Sequence, residues 1–434
     1  MRVGHIRARL ETSVTMTVDG DATLEANREA WNRITSGTPR VVDVCRAAEV
    51  IPHMSDRMVL HAGPPLGSGA EVTGALRGAV IGACLYEGWA RTKAAAIELV
   101  DRGEITLASA HDHQAVATYA GGISPSTPVL VVRNERFGNL AFNAFNEGRG
   151  KALRYGSHDQ DTIARLRWFE SVLAPVLRHA IRSSKYIDVL PLISAALHMG
   201  DECHSRHKAA SALLTNAIAP HVVGAPTSDS AKFETLAWLA KNEIFFLNVT
   251  MAASKAIMDA ASGIPYCSIV TCVARNGEVS GIRVSGLGSR WFTAPVEPVH
   301  ARYFDGYGPD DANPDLGDSA IAETFGLGAF AMAAAPALAR YMGGTPQEAE
   351  RLSSPMYDIV YGEHPYLTVP SLNFRGVPSG IDVHRVVRTR IAPITNSGVA
   401  HRAGGIGQIG AGYTTVPLEC FDAAARALQD SGMR

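Results

Sequence analysis

The densest group of chemically capable side chains in the sequence is His198-Met199-Gly200-Asp201-Glu202-Cys203-His204-Ser205-Arg206-His207-Lys208. Imidazoles exchange protons near neutral pH, carboxylates orient them, and Arg and Lys side chains hold anions. At about 100° per residue, a helix would place His198, Asp201, Glu202, Ser205 and Arg206 on one broad face, with Lys208 at its edge. Met199, Cys203, His207 and Ala210 would then turn away. Apolar residues lead in (Val189, Leu190, Leu192, Ile193, Leu197) and small ones follow (Ala209, Ala210, Ala212). A polar stripe with such an approach fits a cleft wall. A solvated face laced by i,i+4 pairs fits it equally well.

A second cluster, His111-Asp112-His113, follows a short strand expected at Ile105–Leu107, a usual place for a site residue in a mixed fold. Acid–base duty, metal ligation and a capped turn are all open to it. In Asn143-Ala-Phe-Asn-Glu-Gly-Arg-Gly-Lys-Ala-Leu-Arg-Tyr-Gly156, glycines separate Asn146, Glu147, Arg149, Lys151 and Arg154, as in a ligand-facing loop or a solvated turn. Near the end, Gly404-Gly405-Ile406-Gly407-Gln408-Ile409-Gly410-Ala411-Gly412 matches GxGxxG by letter. No βαβ unit follows it, which argues against a dinucleotide fingerprint. Its glycines could close the backbone on a phosphate or carboxylate, or permit close strand packing. Ala62–Gly69 is another Gly- and Pro-rich loop able to cradle an anion or to make a tight connection.

The elements that must position these groups suggest an α+β fold with four stretches. Residues 1–20 form an N-terminal extension. An α/β portion follows over 21–160: a helix from Leu24 to Ile34 capped by Asp21 or Thr23, and strands at Arg40–Val44, Val59–His61 and Val129–Val132. It also holds a helix whose Gly74, Gly78 and Gly82 share one face for close packing. Residues 161–264 show helical spacing almost throughout, interrupted only at Pro220–Pro226. An α+β portion closes the chain over 265–434, with a hairpin around Asn276-Gly277 joining Cys267–Arg275 to Val279–Val284, and a buried helix over Ser319–Tyr341. The opening cluster lies in the helical stretch, between two β-containing portions, where clefts gather.

The 434 residues carry 40 basic and 42 acidic side chains, a formal charge of −2, and no basic run, which argues against a nucleic-acid footprint. Six cysteines lie without zinc-type spacing and read as reduced thiols. Arg7, Arg9 and Glu11 with no long apolar stretch do not make a signal peptide. Gly326 to Leu338 is apolar but shorter than the ~20 residues a membrane span needs. A soluble, cytoplasmic chain without a required cofactor is expected.

Several segments together carry a resemblance: Ala26-Asn-Arg-Glu-Ala-Trp, Leu60-His-Ala-Gly-Pro-Pro, Leu76-Arg-Gly-Ala-Val-Ile-Gly, Asn146-Glu-Gly, Leu197-His-Met-Gly-Asp-Glu-Cys-His and Gly407-Gln-Ile-Gly-Ala-Gly. From about Leu24 to Leu428 the chain resembles the YlbE-like family, which includes the AllG subunit of bacterial oxamate carbamoyltransferase. The resemblance implies a mixed α+β fold with a helical insert. It also implies a role in allantoin breakdown, where oxalurate and phosphate interconvert with oxamate and carbamoyl phosphate, in a complex with an FdrA-like and a further subunit.

The resemblance brings no catalytic residues, so roles follow from the chemistry. Carbamoyl transfer needs donors for phosphate and for the carbonyl oxygen, and a base near the nitrogen. Arg206, Lys208 and the backbone at Gly405, Gly407, Gly410 and Gly412 could hold phosphate. His198 or His111 could exchange the proton, with Asp201 or Glu202 setting the tautomer. Lys151 or Arg154 could grip a carboxylate, and His113 and Asn146 complete the expected substrate set. The Ser-Thr-Arg-Thr-Arg motif of aspartate-type transcarbamoylases is missing; Arg388-Thr389-Arg390 is only a fragment of it. Two other readings stay open: a metal-assisted amidohydrolase with His198, Glu202 and His111 or His113 as ligands, and a non-catalytic binding subunit.

Overall fold

The structure, a computed structural model, describes residues 7–67, 72, 74–145, 147–341 and 345–432. Asn146 and the tip of the Ala62–Gly69 loop lie outside the described residues. The first helix spans Arg7–Ser36. Asp21 and Thr23 therefore sit within it, not at its cap.

A five-stranded sheet runs in the order Ala115–Val116, Leu140–Ala144, Pro128–Asn134, Pro39–Arg46, Ile187–Asp188. Val129–Val132 is buried throughout, as an uninterrupted apolar run demands. The helices Ala174–Ser183, Val189–His198, Lys208–Val223 and Phe246–Ala260 supply core residues that pack with Val41, Val44, Leu130 and Val132 of this sheet. Phe325 and Leu327 from the later chain close the same core. The helical stretch and the first strands thus bury one apolar interior between them.

Beside it, Met58–His61 pairs in parallel with Thr106–Ser109 and antiparallel with Gly121–Ile123. The helix Gly74–Glu87 packs here, and its glycines explain how closely. A Cβ on Gly78 would lie 2.2 Å from Gly156 O, and one on Gly82 2.3 Å from Leu153 Cδ1. That approach seats the turn Leu153–Tyr155 on the helix, and with it Arg154 and Tyr155.

Two further sheets organise the C-terminal part. Val270–Asn276 and Val279–Val284 form the hairpin that Asn276-Gly277 signals, with Gly277 at φ +89. Ile394–Ala400 pairs antiparallel with Gln408–Thr415, which pairs in turn with His300–Tyr303.

Two expectations need correction. The buried stretch Ser319–Tyr341 is not one helix but three short pieces: Ile321–Phe325, Gly328–Ala334 and Pro336–Tyr341. The first break falls at Gly326 (φ +116), a left-handed conformation that stops a helix, and the second at Ala335, held out of the helical region before Pro336. Burial, the other half of that expectation, does hold for Ile321–Ala335. Pro220 lies inside the last turn of Lys208–Val223 and does not open the loop, although its missing N–H costs the helix one i→i−4 hydrogen bond there. Among the described residues, no helix is long and apolar enough to cross a membrane.

Candidate functional site

The opening cluster is not one helix. Val189–His198 ends at His198, Gly200 takes φ +83 and Cys203 φ +61, and the next helix starts at Lys208. Two buried carboxylates shape the loop between. Asp201 Oδ2 accepts the N–H groups of Ala209 (2.8 Å) and Ala210 (3.1 Å), and Oδ1 accepts that of Cys203 (3.1 Å), so Asp201 caps the helix that follows. Glu202 Oε1 accepts from Ser205 N at 2.5 Å and Oε2 from Arg206 N at 2.9 Å. The chain wraps round this carboxylate and carries His204, Ser205 and Arg206 past it. Burial pushes the carboxyl of Asp201 up to about 6 and that of Glu202 up to about 7, where the Asp201 charge adds to the effect.

The far side of this loop faces a cavity of about 250 Å³. Residues 204–208 line it together with Arg149, Arg154 and Tyr155. Glu243, Ile244 and Leu247 also line it, as do Ser397, Gly398, Gln408 and Ala411 from the paired C-terminal strands. The charge is lopsided. Four cations (Arg149, Arg154, Arg206, Lys208) face one carboxylate, Glu243, which Lys208 Nζ engages at 2.8 Å. Among the described residues, none of the three arginine side chains makes a direct ion pair, although Glu147 lies near Arg154, and Glu243 near Arg149 and Arg206. Arg154 is only 4% exposed; its Nε and Nη2 donate to Gly148 O, and its guanidinium stacks on the Tyr155 ring. Arg206 Nε is buried with no partner. Burying guanidinium groups without a direct ion pair is costly, and a bound anion offsets that cost.

His204 Nδ1 lies 2.6 Å from Glu323 Oε1. Among the described residues, the opposite nitrogen, Nε2, has no hydrogen-bond partner, on a residue that lines the cavity. Glu323 is itself fixed, its Oε1 accepting from Ala329 N and Asn396 N at 3.0 Å each. His207 closes the loop with Nε2 hydrogen-bonded to His204 O, and burial lowers its pKa to about 3, so it stays neutral.

The expected residues divide clearly. Arg206, Lys208 and Arg154 line the cavity; Asp201 and Glu202 lie beneath the loop. His198 is exposed, on Thr368 Oγ1 at 2.9 Å and the Phe374 ring edge, outside the cavity. His111 is enclosed elsewhere, 3.3 Å from Asp318 Oδ1 and 3.4 Å from Cys272 Sγ. Burial works to lower its pKa, but Cys272 and Asp318 outweigh it and raise it to about 9. His113 Nδ1 bonds Pro52 O, and Lys151 pairs with Asp159 at 3.4 Å on the surface.

The glycines serve packing. A Cβ would meet Gly150 O at 2.6 Å from Gly407, Arg302 O at 2.8 Å from Gly410, and His300 O at 2.0 Å from Gly412, while Gly405 abuts the His158 ring. His198, Glu202, His111 and His113 do not converge. Among the described residues no three His, Cys, Asp or Glu side chains gather as metal ligands would.

Helical spacing concealed His204 and His207, and nothing in the early pattern pointed to Asn396 or Ser397. Glu323 did carry a signal: a lone carboxylate in the apolar run Ile321–Phe325 must have a buried partner.

The family model described as oxamate carbamoyltransferase subunit AllG matches residues 105–319. The oxamate carbamoyltransferase subunit AllG of Escherichia coli (strain K12) is 43% identical over 410 residues, covering 94% of this chain and 98% of its own length. The uncharacterized protein YahG of the same organism is 43% identical over 404 residues, covering 93% and 85%. A solved relative, a conserved protein of unknown function from Enterococcus faecalis V583, superposes with a TM-score of 0.91 at 42% identity, covering 94% of this chain and 98% of its own. With relatives 42–43% identical over at least 93% of its length, the chain belongs to the AllG family.

Proposed function

We propose that the chain works as a subunit of an oxamate carbamoyltransferase-like assembly, interconverting oxalurate plus phosphate with oxamate plus carbamoyl phosphate. The cavity holds the anions of that reaction. The observation that carries this reading is the gathering of Arg149, Arg154, Arg206 and Lys208, with Arg154 only 4% exposed, on the lining of a space sized for a small molecule. A guanidinium fork matches a carboxylate or a phosphate in two parallel hydrogen bonds. The name of the AllG relative supplies the reaction. FdrA-like and further subunits complete the assembly, and the reaction belongs to purine catabolism. The gathered cations favour this reading over metal-assisted hydrolysis, whose expected ligands lie apart.

The test has two arms. Co-expressed with its partner subunits, the chain gives phosphate-dependent carbamoyl phosphate from oxalurate; alone, it binds oxamate or phosphate in calorimetry. Absence of turnover in the assembly together with absence of binding by the chain defeats the reading. Binding by the chain, with turnover unaffected by substitutions in this cavity, places the chemistry on a partner.

A further inference from the structure

We infer that His204 carries the proton in this cavity through Nε2, and that Glu323 is its positioning residue. This inference rests on the carbamoyl-transfer reading of the cavity and adds the group that performs it.

The reaction requires such a group. When hydrogen phosphate attacks the carbamoyl carbon of oxalurate, a C–O bond forms and the C–N bond to the oxamate nitrogen breaks. The phosphate oxygen gives up its proton, and the departing nitrogen must gain one. An imidazole can take the first and return the second, with no net gain or loss of protons. Arginines cannot do this, because they do not deprotonate in proteins. The Lys208 ammonium is engaged by Glu243. His207 has its Nε2 bound to the His204 carbonyl.

His204 alone among the lining histidines combines a free ring nitrogen with a carboxylate at the other. The 2.6 Å contact to Glu323 fixes the proton on Nδ1 whenever the ring is neutral, leaving Nε2 as the acceptor. Two main-chain N–H groups hold Glu323 Oε1, so the pair is built before substrate arrives. The charged groups surrounding the ring are Glu323 and Glu202 behind it, and Arg154 and Arg206 along the cavity walls. The arginines would hold the two anionic reactants within reach of one neutral base.

The variants are H204N and E323Q in the complete assembly, with H204Q as a second His204 variant. An Asn amide can still donate to Glu323, so H204N keeps the buried contact while removing the distal nitrogen. H204N should lower kcat by about 100-fold or more, with KM for oxalurate and Kd for oxamate within about threefold. E323Q should lower kcat by about tenfold while KM for oxalurate and Kd for oxamate stay within about threefold, because the ring is no longer held in the tautomer that leaves Nε2 as the acceptor. A carboxylate with a merely structural role would lower the unfolding temperature and change kcat and oxamate affinity together.

H204N and H204Q folding and turning over within threefold of wild type overturns the inference while the anion-cavity reading stands. So does loss of oxamate binding in parallel with kcat, which makes His204 a binding group only. If neither His204 variant folds, E323Q decides: kcat within threefold of wild type, or kcat and oxamate affinity lost together, overturns the inference, and a loss in kcat with unchanged KM sustains it. A wild-type assembly with no turnover, and a chain that binds neither anion, defeats both.

Discussion

Asn396 Nδ2 donates to Glu202 Oε1 at 3.1 Å, across 194 residues of chain. The main-chain N–H of the same residue donates to Glu323 Oε1 at 3.0 Å. One residue of a C-terminal strand therefore secures both the carboxylate that shapes the cavity loop and the one that orients His204. A site assembled this way depends on the contact between the helical and the C-terminal portions of the chain.

The first prediction concerns that contact. N396A leaves Glu202 Oε1 with Ser205 N as its donor and should lower stability by about 1–3 kcal/mol, the usual worth of a hydrogen bond to a carboxylate. Oxamate binding should weaken as well, because the loop bearing Arg206 loosens. Urea unfolding and calorimetry on the same preparation measure both. Unchanged affinity would mean that the loop holds its shape without the strand.

A second prediction is a pH dependence of stability. Burial pushes the Glu202 carboxyl up to about 7 from an ordinary 4.5. The folded chain then holds this proton more tightly than the unfolded chain. The group's contribution to stability is greatest below the unfolded pKa, falls as pH rises between the two values, and is flat above the folded one. The full span is worth about 3 kcal/mol. E202Q abolishes this titration, so wild type should lose most of that amount relative to E202Q between pH 5 and pH 8. A pH-independent difference between the two would mean that Glu202 is solvated.

A third prediction tests the anion site. R154K and R206Q should each weaken oxamate and phosphate binding by roughly 10- to 100-fold, the loss expected for a charge-assisted hydrogen bond. Lysine cannot reproduce the fork that a carboxylate or phosphate meets, so R154K is not a mild change. H198A, whose side chain lies outside the cavity on Thr368, should bind as wild type does. If H198A is the variant that loses binding, the site lies elsewhere.

The sequence conveyed the elements better than it conveyed the site. The Asn276-Gly277 hairpin, the buried Val129–Val132 strand and the close-packed Gly78–Gly82 face were legible because each obeys a local rule. The cavity was legible in part: Arg154, Arg206 and Lys208 are basic and lie near glycines. The roles of Asp201 and Glu202 were hidden because they depend on a helix ending at His198. Helical spacing extends smoothly past that point, and only Gly200 hints at the stop. The Glu323–His204 contact spans 119 residues, and no periodicity links such distant positions. His111 shows the opposite error. A conspicuous motif drew attention to a residue that the fold encloses between Cys272 and Asp318.

The last prediction separates two uses of the glycine-rich strand. If Gly410 and Gly412 exist to let strands approach, a side chain at Gly412 must collide with its neighbour, since its Cβ would lie 2.0 Å from His300 O. G412A should then lower stability by about 3 kcal/mol or more, by forcing His300–Tyr303 away from Gln408–Thr415. Anion binding would weaken as a consequence, because Gln408 and Ala411 of that strand line the cavity. G67A is the matched control: a Cβ there has nothing within 4 Å, and its effect should stay within about 0.5 kcal/mol. Thermal unfolding of both variants, followed by oxamate titration, decides the matter. Should G412A unfold like wild type yet fail to bind oxamate, the glycines would be anion ligands after all, and the strand-packing account of them would fall.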